Sequence, residues 1–222
     1  MARTVPFDDA RVIDVSRRGA PGIEHFPADL ADPASWSGVA ALFEKEMAGF
    51  DGERVVLVHS AGTLEPIGFA GEVDAEGYAR QAVLNAAAPQ ALGDAFLRAA
   101  RGTSARCTLL FIGSGASSSV YEGWSAYCAG KAAVDHWVRT VGAEQKRRGD
   151  RCRVVCIAPG VVETSMQEQI RGMTEDAFPE VERFRLLHRQ GALRAPEDAA
   201  RDLWGRIASD TFPNGAVMDL RA

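Results

Sequence analysis

The stretch CTLLFIGSGASSSVYEGWSAYCAGKAAVDHW (residues 107–137) contains both kinds of element from which the fold is built. Its first part, CTLLFIGS (107–114), is a nearly unbroken apolar run that ends in Gly and Ser, as expected for a strand buried on both faces. Its last part begins a helix at Ser125, in which Tyr127, Lys131 and Val134 follow the spacing of a single helical stripe. A buried strand followed by a long helix is the repeating unit of a parallel sheet covered by helices.

The rest of the chain repeats this alternation. Further apolar runs predict strands at ARVIDVSR (10–17), IEHFPAD (23–29), RVVLVHSAG (54–62), CRVVCIAPG (152–160) and GAVMDL (215–220). Helical patterns cover 34–48, 75–100 and 125–148, and a shorter pair follows at 166–189 and 196–208. We therefore predict one α/β domain over residues 1–222, with a doubly wound Rossmann-type parallel sheet that binds its ligand beyond the carboxyl ends of its strands.

Composition restricts the class of ligand. The 222 residues are 46% hydrophobic and 25% charged, and the net charge of −5 comes with scattered basic residues, which argues against a nucleic acid or an anionic membrane surface as partner. No apolar run reaches the roughly 18 to 20 residues of a membrane span. We expect a soluble cytoplasmic protein with a small-molecule ligand. Its four cysteines have no zinc-ligand spacing, and we expect reduced thiols and no metal.

Tyr127 and Lys131 lie four residues apart on the buried stripe of the helix. A lysine on a buried stripe needs a reason. The functional explanation is that its ammonium favours the phenolate form of the neighbouring tyrosine, which then serves as a general acid or base at neutral pH. The structural alternative is a tyrosine at the core boundary beside a lysine whose ammonium extends to solvent.

Two further residues accompany this pair. Ser114 follows the strand at 107–114, where its hydroxyl can meet a substrate carbonyl or simply cap a turn. Asn85 lies within a helical stretch four residues before Pro89, a combination that predicts a kink, with a core hydrogen bond as the alternative role.

With these residues in place, the chain resembles the short-chain dehydrogenase/reductases from about residue 10 to the C-terminus. The resemblance rests on SAYCAGKAA with Tyr127 and Lys131, on Ser114 and Asn85, and on APGVVET (158–164). The segments GWSAYCAGKAA, PGVVETSMQEQIR and FPNGAVMDL look most like the sepiapterin reductase and benzil reductase branch.

The resemblance implies a role for each of these residues. Tyr127 would deliver a proton to the carbonyl oxygen, to which Ser114 would donate a hydrogen bond. Lys131 would favour the phenolate and hold the nicotinamide ribose, and Asn85 would anchor a water in the proton relay. The function implied is NADPH-dependent reduction of a carbonyl in an aromatic or vicinal diketone such as benzil, or in a pterin side-chain ketone such as sepiapterin.

The end of the strand at 10–17 bears on the choice of dinucleotide. Arginine there favours a 2′-phosphate, whereas an acid favours a free ribose. Arg17, with Ser16 and Arg18, therefore predicts NADP(H), although Asp14 shares a side of the strand with Ser16 and solvated turn arginines are the alternative. The remaining positions implied by resemblance to contact the cofactor are Asp29, Leu30, Ser60, Ala61, Gly62, Pro159, Gly160, Val162 and Thr164.

Substrate contacts follow from the same comparison. Residues 166–190 would form a mobile cover over the substrate. We expect the pocket to be lined by Ser114, Tyr121, Trp124, Met166, Gln167 and Asp219. Family members commonly pair through the two long helices, which implies a homodimer or homotetramer.

Two departures from the family pattern stand out. The sequence contains no Thr-Gly-x-x-x-Gly-x-Gly loop, and MARTVPFDDARV looks like the tail of the first helix running into the second family strand. The absent first strand would lie between the strands at 10–17 and 54–62, so we expect a gap there. Three explanations fit this pattern. The start codon is misassigned and some 20 to 25 upstream residues are missing, or the chain is a truncated non-catalytic paralogue that acts as an interaction or regulatory module. The third is a rearranged phosphate site in residues 1–22.

The second departure is HSAG (59–62), where the family usually has Asn-Asn-Ala-Gly. His59 is either a catalytic base or, as is commoner, a strand-end histidine that satisfies a local hydrogen bond.

Overall fold

The strands and helices alternate along the chain as the sequence predicts. The computed structural model describes residues 1–221, so Ala222, the last residue of the predicted domain, lies outside the described residues. The strands are β1 (Ile13–Ser16), β2 (Glu24–Pro27), β3 (Arg54–His59), β4 (Arg106–Ile112), β5 (Cys152–Ala158) and β6 (Ala216–Asp219). The helices are α1 (Trp36–Met47), α2 (Ala75–Ala82), α3 (Ala88–Ala99), α4 (Ser125–Arg147), α5 (Ser165–Arg171), α6 (Val181–Arg189) and α7 (Pro196–Ser209).

The strands pair in parallel but divide into two groups. β1 pairs with β2, and β3, β4, β5 and β6 form a four-stranded sheet in that order. In the centre of the larger sheet Leu57 pairs with Leu109, and Leu109 with Val154. The predicted α/β fold with a parallel sheet flanked by helices is confirmed. The predicted gap is present as well, because β1 and β3 belong to separate sheets.

Side chains that alternate along the strands build two cores, one on each face of the larger sheet. Leu109, Phe111 and Val154 face α1, α3 and α4, whereas Leu110 and Val155 face α7. Strands buried on both faces need this continuous apolar character, and the run at 107–114 shows it.

The N-terminal residues pack on the α7 face of the sheet. Only Ala2–Thr4 forms a single 3-10 turn, so the expected helix tail is reduced to that turn. The Trp204 indole N–H donates to the Met1 carbonyl at 3.0 Å, and the Phe7 ring meets Trp204 edge to face. The segment is thereby fixed to α7.

Two predicted helices differ from the structure. The stretch 75–100 is interrupted by a π-helical segment at Val83–Ala87, which confirms the kink predicted around Asn85 and Pro89. The stretch 166–189 is not one helix: α5 ends before Gly172 and α6 begins after Pro179, since these residues disfavour a continuous helix. No helix among residues 1–221 is long and apolar enough to cross a membrane.

Candidate active site

Tyr127 and Lys131 lie side by side in the first two turns of α4. The Lys131 Nζ is 5.7 Å from the centroid of the Tyr127 ring and donates a 2.8 Å hydrogen bond to the Ile112 carbonyl at the end of β4. Tyr127 is 7% exposed. The hydrogen bond holds the ammonium at the carboxyl edge of the sheet, beside the Tyr127 ring.

The π-helical segment positions Asn85 beside α4. The Asn85 Oδ1 accepts from the Thr63 amide at 3.0 Å, and its Nδ2 donates to the Thr63 carbonyl at 2.7 Å. A Cβ added at Gly130 would lie 2.8 Å from the Asn85 Cβ. The absence of a side chain at Gly130 therefore lets α4 approach the segment closely, next to Lys131.

Ser114 lies on the same side of the sheet as Tyr127. Its hydroxyl oxygen accepts from the Ala116 amide at 3.2 Å and begins the short 3-10 turn Gly115–Ser117. Ala116 packs in the same buried cluster as Tyr127. Ser114 thus caps a turn, and its hydroxyl hydrogen can still be donated to a ligand.

The Gly123–Trp124 pair joins the start of α4 to the predicted cover. Gly123 has φ 82°, and a Cβ there would lie 2.4 Å from the Ala177 carbonyl oxygen, so only glycine permits this approach. The Trp124 ring stacks on Phe178 with centroids 4.4 Å apart and meets the Tyr127 ring at 5.6 Å. The aromatic side of the cover therefore closes directly over the acid–base pair.

The base of the cover is held by the loop after β5. The Glu163 amide donates to the Arg194 carbonyl, and the Arg194 amide donates to the Val161 carbonyl, each at 2.9 Å. The Glu163 carboxylate also contacts Arg171 at 2.8 Å and His188 at 3.0 Å. The bond from Arg171, supported by His188, holds the pKa of Glu163 below its usual value. Contacts at both ends of the cover thus converge on one loop.

The ends of β1 and β2 form a separate polar corner. The Ser16 hydroxyl donates to Asp14 at 3.2 Å, so these residues do share a side of the strand. Arg17 and Arg18 follow in an exposed bend. The Asp29 carboxylate accepts a hydrogen bond from the Ala31 amide and forms an ion pair with Arg80. Burial opposes its ionisation, but the Ala31 amide, Arg80 and Arg17 together hold the pKa of Asp29 below its usual value.

The other residues predicted to contact the cofactor follow strands β2, β3 and β5. Leu30 is buried, and its carbonyl accepts from the Trp36 indole. Ser60 is exposed, Ala61 and Gly62 are half-buried, and a Cβ at Gly62 would meet the Asn85 Oδ1 at 3.1 Å. The residues of the β5 loop and the start of α5 are half-buried or exposed: Pro159, Gly160, Val162 and Thr164.

The predicted substrate residues do not all lie in one cluster. Tyr121, Trp124 and Met166 contact the buried cluster that contains Tyr127. Asp219 is instead bound by Arg221, whose Nε and Nη2 donate to its two carboxylate oxygens at 2.9 and 2.6 Å. This pairing lowers the pKa of Asp219 and occupies the carboxylate. A substrate that used Asp219 would compete with Arg221.

Four buried side-chain atoms of the described chain have no hydrogen-bond partner: His59 Nε2, Trp124 Nε1, Gln167 Oε1 and Arg171 Nη1. His59 ends β3, Trp124 precedes α4, and the other two belong to α5. Buried polar groups are normally paired, so each of these atoms is a candidate contact for a ligand.

His59 is a buried titratable group near the site. It is 7% exposed and packs against Phe111, with ring centroids 5.7 Å apart. Burial, together with the Lys131 charge, lowers its pKa to about 4. The imidazole is therefore neutral at physiological pH. His59 Nε2 has no hydrogen-bond partner among the described residues, whereas the ring keeps a local bond to its own backbone, so the role of His59 stays a prediction.

Several positioning residues were not identified from the sequence. Thr63 and Gly130 hold Asn85, and Phe178 and Phe184 close the cover over Trp124. A glycine inside a long helical pattern indicates close packing, and Gly130 is such a glycine, so the sequence did contain a signal for this contact. The cover aromatics had no comparable signal because their partners lie some 50 residues earlier in the chain.

The chain is similar in sequence to proteins of one known family. A family described as short chain dehydrogenase matches residues 10–175, which is more than half of the chain. Benzil reductase ((S)-benzoin forming) from Bacillus subtilis is 35% identical over 81% of this chain and 74% of its own length. Sepiapterin reductase from Mus musculus is 31% identical over 85% of this chain and 73% of its own length. The chain belongs to the short-chain dehydrogenase family.

A solved structure of similar sequence has the same fold. The crystal structure of the KRED1-Pglu enzyme superposes with a TM-score of 0.77 at 27% identity and covers 96% of this chain and 90% of its own. The predicted family, and its relation to the benzil and sepiapterin reductases, are confirmed. The protein is thus a short-chain dehydrogenase-type oxidoreductase of a family that generally binds NAD(P)(H).

The described residues fit the two ends of such a dinucleotide. Arg17 is exposed beside the Asp29 carboxylate, where adenosine would lie, and Lys131 uses one donor on Ile112 and retains two for a ribose. The sequence contains no Thr-Gly-x-x-x-Gly-x-Gly loop for the phosphates. The Tyr127 and Lys131 end and the Arg17 end are therefore the parts of the site that this chain provides.

Proposed function

We propose that this protein reduces a carbonyl group of a vicinal or aromatic diketone, or of a pterin side-chain ketone, at the expense of NADPH. The observation that carries the proposal is the buried Tyr127 with the Lys131 ammonium 5.7 Å from its ring, beneath an aromatic cover. The relatives that share this segment include a benzil reductase and a sepiapterin reductase. Both names describe the reduction of a ketone next to a ring.

The chain's own residues supply acid catalysis and orientation. Bound nicotinamide would supply the hydride to the carbonyl carbon. Tyr127 donates its hydroxyl proton to the carbonyl oxygen, which becomes the alcohol, and Lys131 stabilises the phenolate left behind. Ser114 donates its hydroxyl hydrogen to the same oxygen and fixes its position. The rings of Trp124 and Phe178 exclude water from the reacting carbonyl.

The acid role is tested by Tyr127→Phe. We expect kcat for benzil reduction to fall by at least roughly 10²-fold, because the proton donor is lost while the ring packing remains. NADPH oxidation is followed by absorbance, with Tyr78→Phe as the matched control, since the Tyr78 hydroxyl contacts Ser125 rather than the site. Full activity in Tyr127→Phe would refute the assignment. Absence of activity in the unmodified chain with every such ketone would refute the proposed function.

NADPH preference is proposed to come from Arg17. Loss of a charge-assisted hydrogen bond to a 2′-phosphate predicts that Arg17→Ala weakens NADPH binding by at least about tenfold and leaves NADH binding nearly unchanged. Calorimetric titration measures both, and Arg101→Ala, an exposed arginine following α3, is the control. Equal losses for the two dinucleotides would contradict the role of Arg17. Saturable NADPH binding would also dismiss the alternative of a non-catalytic interaction module.

We propose in addition that the protein is a homodimer or homotetramer that pairs through α3 and α4. Ala129 is exposed, and Ala132 and Ala133 are half-buried, so α4 offers small side chains for close helix packing. Light scattering on the purified protein measures the mass directly. A monomer at all concentrations would exclude this assembly.

A further inference from the structure

The indole N–H of Trp124 is a buried donor without an acceptor in the described chain, and the Trp124 ring contacts the candidate catalytic Tyr127. Trp124 is 6% exposed, and its Nε1 has no hydrogen-bond partner in the described chain. An unsatisfied buried donor destabilises the folded protein. Tryptophan N–H groups usually find a partner when buried, so this exception calls for a functional explanation.

The indole donors of the partly buried Trp36 and the buried Trp204 show the contrast. The Trp36 indole donates to the Leu30 carbonyl at 3.0 Å, and the Trp204 indole donates to the Met1 carbonyl at 3.0 Å. Phenylalanine at position 124 would retain the aromatic stacking without an orphaned N–H. The donor at this position is therefore not explained by packing alone.

The surroundings of Trp124 point to a ligand next to Tyr127. Its ring stacks on Phe178 at 4.4 Å and meets Tyr127 at 5.6 Å, with planes inclined by 68°. Phe178 belongs to the segment between α5 and α6 and covers the face of Trp124. An aromatic ring of a substrate that displaced this segment would take the place of the Phe178 ring against Trp124.

We propose that the Trp124 indole N–H donates to the second carbonyl oxygen of a vicinal diketone while Tyr127 and Ser114 donate to the first. This inference rests on the proposed function and narrows it to 1,2-dicarbonyl compounds that carry an aromatic ring. In a vicinal diketone the second oxygen is on the adjacent carbon, so a second donor beside Tyr127 can recognise it. A monoketone of the same shape leaves the Trp124 donor unpaired.

Binding without turnover tests the proposal independently of catalysis. The protein is labelled with ¹⁵N at the tryptophan indoles and titrated with benzil, and then with 1,2-diphenylethanone, which has the same two rings but one carbonyl. The Trp124 resonance is assigned by replacing Trp36, Trp137 and Trp204 by Phe one at a time. We expect benzil to move the Trp124 indole proton downfield and the monoketone to leave it without a hydrogen-bond shift, with the indole protons of Trp36 and Trp204 as internal references.

Affinity provides the second measurement. Trp124→Phe should weaken benzil binding roughly three- to tenfold, the value of one neutral hydrogen bond, and leave binding of the monoketone nearly unchanged. Equal effects on both ligands, or an unmoved Trp124 resonance at saturating benzil, overturn the proposal, as does failure of benzil to bind. A protein that shows the benzil-specific shift but oxidises no NADPH supports this inference and refutes the proposed function. Should Trp124→Phe fail to fold, the titration of the unmodified protein decides.

Discussion

Replacing Gly130 by alanine tests whether the close approach of α4 to the π-helical segment organises the site. Gly130 is within α4, so alanine gains about 1 kcal/mol of helix propensity. The added Cβ would lie 2.8 Å from the Asn85 Cβ and 3.4 Å from the Asn85 carbonyl carbon and oxygen. Carbon atoms in contact prefer about 3.5–4.0 Å, so the segment must move by nearly 1 Å.

The cost of this movement exceeds the gain. Overpacking costs typically about 1–3 kcal/mol, and the upper part of that range applies because the neighbour is backbone and Cβ rather than the end of a flexible side chain. We therefore expect Gly130→Ala to lower the free energy of unfolding by about 1–2 kcal/mol. The displaced Asn85 would also loosen its two bonds to Thr63.

Urea denaturation followed by circular dichroism measures the change. Gly205→Ala is the matched control, because Gly205 is inside α7 and a Cβ there meets nothing within 4 Å. This variant should be more stable than the unmodified protein by about 0.5–1 kcal/mol. If Gly130→Ala were stabilised to the same extent as Gly205→Ala, the close helix approach would be refuted.

Two further predictions concern buried polar groups. The pKa of His59 is lowered to about 4 from its usual 6.5, so the unfolded chain binds the proton more readily, and stability present above pH 6.5 is lost as the pH falls towards 4. At 1.36 kcal/mol per pKa unit this amounts to about 3 kcal/mol, and urea denaturation at pH 7 and 4.5 should show a steeper loss for the unmodified protein than for His59→Gln. Asn85→Ala leaves the Thr63 amide without its partner and the Thr63 carbonyl with only the long bond from Gln81 at 3.4 Å, and should lower the free energy of unfolding by about 1–3 kcal/mol at constant pH. Unchanged stability of Asn85→Ala would contradict the role of Asn85 in holding Thr63. An equal loss of stability with falling pH in the unmodified protein and in His59→Gln would contradict the lowered pKa of His59.

Local sequence pattern was sufficient for the strands and for the acid–base pair. The apolar run at 107–114 covers β4 except for its first residue, Arg106, because a strand buried on both faces is largely apolar. The spacing of Tyr127 and Lys131 placed both on one face of α4, since residues four apart on a helix are neighbours. The kink at Asn85 was also predictable, because its cause, Pro89, lies in the same stretch.

Local sequence patterns could not predict contacts between segments that are distant along the chain. The close approach of Ala177 to Gly123 joins segments far apart along the chain, and the occupation of Asp219 depends on how the chain turns back at Arg221. The orphaned donor of Trp124 could not be predicted either, because an indole is unsatisfied only in relation to everything packed around it.

The sequence by itself determined the α/β fold, the family and the adjacency of Tyr127 and Lys131, since strand burial, helical spacing and motif residues are properties of local chemistry. Only the tertiary structure decided which polar groups are left unpaired, which carboxylate is already bound and how the cover closes on Trp124. The physical reason is that satisfaction of a hydrogen bond, or of a charge, is a property of a pair, and the partners here come from segments far apart along the chain.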